Sequence, residues 1–87
     1  MSAAQVVTLL GKPDCHLCHV MRDAVEPVLA ERGIRLVVRD VREDAELLRR
    51  YRNEIPVLLA GDVEIARHRI TPEDLVARLA DLGHVSG

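Results

Sequence analysis

The sequence predicts an α/β fold, a four-stranded mixed sheet with helices on both faces, in the order β-α-β-α-β-β-α. Three observations predict it. The apolar pattern changes from strand-like to helix-like across Gly11-Lys12-Pro13-Asp14-Cys15. Two apolar runs, Ile55 to Ala60 and Val63 to Arg69, are joined by Gly61-Asp62, the pattern of a hairpin. Thr71-Pro72-Glu73-Asp74 then opens a helix, with a capping hydroxyl, a proline where its missing N–H costs nothing, and acids in the first turn.

Each element follows from its residues. Gln5 to Leu10 is β-branched and apolar and reads as a buried strand; Gly11 to Asp14 is a turn. From His16 onward, Leu17, Val20, Met21, Ala24, Val25, Val28 and Leu29 recur at helical spacing and predict one buried face. Pro27 falls inside that helix and cannot donate to Asp23, which predicts a kink rather than a break, because the apolar stripe continues past it. Gly33 supplies a left-handed cap. Ile34 to Val41 is a second strand, and Glu43 to Arg52 a short polar helix with Ala45, Leu47, Leu48 and Tyr51 available for burial. Pro56 opens the third strand. The last helix buries Leu75, Val76, Leu79, Ala80 and Leu82, and Gly83 ends it. A right-handed crossover makes strands one and two parallel, with the hairpin strands antiparallel to them.

Composition narrows the function. The chain has 87 residues, enough for one domain, with 48% hydrophobic and 30% charged residues. One Tyr and no Phe or Trp make the core aliphatic and remove the stacking platforms that single-stranded nucleic acids need. A net charge of −2 gives no electrostatic attraction for a phosphate backbone or an anionic membrane. No apolar run approaches the ~18 residues of a membrane span, and Met1 to Gln5 has no basic leader segment. These features predict a cytoplasmic monomer with neither nucleic acid nor membrane as partner.

Cys15 and Cys18 are the only cysteines, and they stand where the turn becomes a helix. Unpaired N–H groups and the helix dipole favour a thiolate there, and the thiolate is the nucleophile. In a reducing compartment such a pair points to redox chemistry or metal binding rather than to a structural bridge. Cys15 is the predicted nucleophile, and Cys18, one turn later, the resolving thiol. Lys12 is the only lysine, close enough to favour the thiolate by charge; Asp14 opposes it, and His16 supports it when protonated. Cys15-His16-Leu17-Cys18-His19 also matches the haem c attachment motif. The expectation is against haem, since no export signal is seen and the strand–helix pattern would go unexplained. Zinc is not expected either, because His68 and His84 do not form a second ligand pair. Arg49, Arg50 and Arg52 follow Glu43, Asp44 and Glu46 at helical spacing and read as a solvated, ion-paired face.

With Lys12-x-x-Cys15-x-x-Cys18, Asp40-Val41 after strand two and Ile55-Pro56-Val57 before strand three, the chain resembles the thioredoxin superfamily, and within it the glutaredoxin-like branch. The resemblance spans about Gln5 to Gly83 and implies a single glutaredoxin-like domain over residues 1–87 with a thioredoxin-like fold. It implies a thiol–disulfide oxidoreductase with Cys15 and Cys18 as catalytic residues and no bound cofactor. It also implies a cis Pro56 and a substrate site at Lys12, Ile55 and Pro56, where the N–H and C=O of Ile55 would pair with an extended peptide. Its partners would be protein disulfides or a low-molecular-weight thiol. Glutaredoxins usually carry Pro-Tyr between the cysteines, Tyr before them and a Gly-Gly pair ahead of the last helix. Here stand His16-Leu17, Asp14 and no Gly-Gly. Glutathione and a thioredoxin reductase both stay open as electron donor. A thioredoxin-fold module that senses redox state or binds protein without turnover is the alternative.

Overall fold

Residues 5–82 are described by a computed structural model. Its elements are β1 (Val6–Gly11), α1 (His16–Glu31), β2 (Arg35–Asp40), a 3-10 turn (Val41–Glu43), α2 (Ala45–Tyr51), β3 (Val57–Ala60), β4 (Val63–Arg67) and α3 (Pro72–Asp81). The four strands form one sheet in the order β2-β1-β3-β4. β1 and β2 run parallel, Val6 opposite Arg35 through Gly11 opposite Asp40. β3 is antiparallel to both β1 and β4. The predicted element order is observed, with β1 and β2 parallel and β3 antiparallel to them. β4 differs from the expectation: pairing antiparallel to β3, it runs in the same direction as β1.

Alternation along β1 assigns the two faces. Val7 and Leu9 join Met21, Val25 and Leu29 of α1 and Leu75 and Leu79 of α3 in the larger core. Leu10 points the other way, to Val41 and Val57, with Leu47, Leu48 and Tyr51 of α2 packed against them. Helices α1 and α3 therefore cover one face and α2 the other. β4 places two consecutive residues, Ile65 and Ala66, in the same core. The register explains this: Leu58 faces Ala66 but Leu59 faces Glu64, so Ile65 is the extra residue of a bulge.

Two helix ends form as their residues dictate. Gly33 takes φ +68°, its N–H donates to Ala30 and that of Ile34 to Leu29 at 2.9 Å, which closes the end of α1. The Thr71 hydroxyl accepts the Asp74 N–H at 3.1 Å, with Pro72 in the first turn of α3. Thr71→Ala is accordingly expected to cost about 1 kcal/mol in urea unfolding, and Thr71→Ser only a small part of that.

Four predicted details differ. Leu17 and Val20 are exposed, at 40% and 47%, and the inward line of α1 is Cys18, Met21, Val25 and Leu29. The helix is rotated because the small, weakly polar Cys18 takes the inward position of the first turn. In agreement with the expectation, Pro27 does not break α1, which continues to Glu31. The second helix begins later than Glu43, because Asp44 caps it, accepting the N–H groups of Glu46 and Leu47. Ala45, Ala80 and Leu82 are exposed, and only Leu75 and Leu79 of α3 are fully buried. Strand four stops at Arg67 because His68 turns into the left-handed region at φ +71°. The predicted stop at Gly83 lies outside the described residues.

Candidate active site

β1 ends at Gly11 and the chain turns through Lys12, Pro13 and Asp14, with the Cys15 N–H donating to the Lys12 carbonyl at 3.2 Å. Cys15 then caps α1 in extended conformation, and its sulfur accepts the Cys18 N–H at 3.2 Å. The first turn of α1 contains no acid to cancel the partial positive charge of its N–H groups. A negative sulfur at position 15 thus has a hydrogen-bond donor and a favourable dipole. Lys12, Asp14 and His16 are all exposed around it.

Cys15 and Cys18 are joined by a disulfide, with their Cα atoms 5.2 Å apart. The two sulfurs are not equivalent. Cys18 is 6% exposed, while Cys15 is only partly covered. An attacking thiolate reaches the bridge from the Cys15 side. The buried position of Cys18 depends on Gly11: a Cβ there would lie 2.7 Å from Cys18 Sγ and 3.0 Å from its Cβ. Gly11 is a site residue that the cysteine motif does not include, although a glycine closing a strand just before a cysteine pair is the signal of such a close approach.

The peptide bond between Ile55 and Pro56 is cis. The antiparallel register ends on Leu10 opposite Val57, so Pro56 sits at the end of β1 that leads into the cysteines. The His68 N–H holds the Pro56 carbonyl at 2.7 Å, and Arg67 pairs with both Glu54 and Glu64, tying this loop to β4. The loop differs from expectation in one respect. The Ile55 N–H donates to the Tyr51 carbonyl at 3.2 Å, at the end of α2, and so is not free for a substrate peptide.

Lys12 lies between two clefts. One, of about 400 Å³, is lined by Lys12, Val41, Arg42, Leu48, Arg52, Asn53 and Ile55. It brings three cations and no acid to the side chain of Ile55. The other, of about 380 Å³, reaches Cys18 and includes His19, Asp40 and Glu43. Arg42 donates to both oxygens of Asp40, at 2.8 to 3.2 Å, and these bonds hold the Asp40 carboxyl below the usual carboxylate range. The arginine group of α2 divides. Arg49 pairs with Glu46, Arg50 lies over the Tyr51 ring, and Arg52 reaches the Lys12 cleft.

The family profile described as Glutaredoxin-like domain (DUF836) matches residues 6–80. Among solved structures, a protein of Nitrosomonas europaea superimposes with a TM-score of 0.73 at 23% identity, over 88% of this chain and 93% of that one. Thioredoxin 1 of the thermophilic eubacterium Thermosipho africanus gives 0.66 at 16% identity, over 93% and 97%. Glutaredoxin of Brucella melitensis gives 0.50 at 25% identity, over 99% and 90%. No curated protein matches the sequence. The structural likenesses show a thioredoxin-like fold.

Proposed function

This chain belongs to the Glutaredoxin-like domain family, and on that footing we propose that it is a thiol–disulfide oxidoreductase working through Cys15 and Cys18. One observation carries the reading: the two cysteines are bonded to each other at the mouth of α1, one reachable and one buried. In the reduced protein the Cys15 thiolate, held by the Cys18 N–H and the helix end, attacks a substrate disulfide. A Cys15–substrate disulfide forms, and one substrate sulfur leaves with the electron pair. Cys18 then attacks Cys15; the internal bridge forms and the second substrate sulfur leaves. Two electrons pass from the dithiol to the substrate. The second step is fast because both sulfurs are already in place. Two thiols from solution restore the dithiol: the first opens the bridge and bonds to Cys15, and the second displaces it, the pair leaving as a disulfide.

The Lys12 cleft supports a substrate or reductant carrying carboxylates. Lys12 and Arg52 make no ion pair among the described residues, so both can meet an anion beside Ile55 and Pro56. Glutathione, with two carboxylates, fits this charge better than a neutral thiol. The cytoplasm, where the thiol pool is reducing, is the compartment in which such a cycle runs. No helix among the described residues is long and apolar enough to cross a membrane.

The test compares glutathione with an uncharged thiol of similar reactivity as reductant of the oxidised protein. Raising ionic strength is expected to slow the glutathione reaction and leave the neutral one nearly unchanged. Lys12→Gln is expected to lower kcat/KM for glutathione about fivefold, the effect of roughly 1 kcal/mol from one exposed charge contact. Equal salt dependence for the two thiols would remove the charged groove from the account.

A further inference from the structure

The reaction requires that Cys18 lose its proton as it attacks and regain one when the bridge is reduced. Among the described residues no polar or charged side chain is buried, so no internal acid serves it. The cleft that reaches Cys18 is therefore the route, and at about 380 Å³ it has room for water. The titratable groups lining it are Lys12 from the turn, His19 and Arg22 of α1, Arg39 and Asp40 of β2, and Glu43 of the 3-10 turn. The Lys and two Arg are donors with no lone pair when charged. Asp40 is occupied by Arg42 through both oxygens. Glu43 is a carboxylate, a far weaker base than an imidazole.

His19 remains, and its ring is held. Nε2 lies 2.7 Å from the Pro13 carbonyl oxygen, which can only accept, so Nε2 carries the hydrogen. In the neutral ring that leaves the lone pair on Nδ1. We propose that His19, through water in this cleft, receives the Cys18 proton during attack on the Cys15 mixed disulfide and returns it when the bridge is reduced. The inference rests on the oxidoreductase reading. In the forward step Cys18 Sγ bonds to Cys15 Sγ, the Cys15–substrate bond breaks, and the substrate thiolate leaves with the electron pair. The Cys18 proton passes to Nδ1, and from the imidazolium to solvent or to the departing thiolate. In the reverse step the imidazolium protonates Cys18 as it leaves.

A free thiol titrating near ~8.5 is about 3% ionised at neutral pH, and burial disfavours the thiolate further, so a base has a gain on the order of 30-fold to supply. His19→Gln keeps an N–H that can reach the Pro13 carbonyl but does not titrate. His19→Ala loses both. The experiment follows release of a chromogenic thiol from a mixed disulfide preformed on Cys15 of the full chain, over pH 5.5–9.5 in roughly half-unit steps. Wild-type release is expected to level off above neutral pH. His19→Gln is expected to be slower by roughly tenfold at pH 7 and to keep rising towards alkaline pH, converging on wild type. Unchanged release in His19→Gln, or a parallel fall across all pH, overturns the proposal. So does a defect confined to His19→Ala, which would leave His19 as a tie for the Pro13 turn. If wild type itself releases no thiol, the oxidoreductase reading fails instead.

Discussion

Cys15→Ser is expected to reduce disulfide turnover to background, whereas Cys18→Ser retains the first attack and accumulates a mixed disulfide. The asymmetry follows from position. Cys15 is the reachable sulfur, with the Cys18 N–H and the end of α1 directed at it. A serine hydroxyl in that place is not ionised near neutral pH and cannot displace a thiolate. Cys18 is 6% exposed and meets no substrate directly, so its loss removes only the internal displacement. Turnover then depends on a second thiol arriving from solution. That route lacks the advantage of a tethered nucleophile, whose effective concentration can exceed molar by orders of magnitude. The predicted loss for Cys18→Ser is on the order of 10²-fold or more with a protein disulfide and smaller with an excess of small thiol. Mass spectrometry of the trapped species is expected to place the adduct on Cys15. An adduct on Cys18 in the converse variant, with equal turnover, would reverse the assignment.

Gly11→Ala is expected to be the most damaging single-methyl change near the site. The added Cβ would stand 2.7 Å from Cys18 Sγ, closer than such atoms come. Gly11 is itself buried in β1, paired with Asp40 of β2, so the backbone cannot simply move away. Cys18 must shift instead, and with it the bridge to Cys15. Overpacking of this kind costs about 1–3 kcal/mol. Urea unfolding of the oxidised protein measures it, and Gly11→Ala should also close its bridge more slowly. The double variant Gly11→Ala/Cys18→Ala is expected to recover most of the loss, since the methyl then meets a smaller neighbour. Additive effects of the two changes would show that the contact is not the cause.

Much of this arrangement is legible in the residues, because local chemistry and tertiary packing agree. The switch of period at Cys15, the left-handed Gly33 and the cap at Thr71 are each dictated by a residue type with few alternatives, while the cis Pro56 is implied by the family resemblance and not by the residue alone. What escapes sequence reasoning depends on rotation and on partners distant in the chain. Leu17 and Val20 fit a helical stripe, yet Cys18 occupies the inward place and turns them to solvent. The bulge at Ile65 puts two neighbours in one core, where strict alternation would expose one of them. The Ile55 N–H is taken by the last turn of α2, a contact set by how that helix ends. Lys12 and Arg52 are 40 positions apart and meet in one cleft only because β1 and α2 end at the same side of the sheet. His19 and Pro13 are six apart, and only the tightness of the turn brings ring and carbonyl together.

Cycling of Cys15 and Cys18 between dithiol and disulfide can be read by equilibrating the protein in graded glutathione buffers, trapping free thiols by alkylation and counting them by mass. A single two-electron transition is expected, with a midpoint between about −200 and −270 mV, the range of working thiol reductants. A pair that stays bonded down to about −300 mV or below would be a structural bridge and would contradict it.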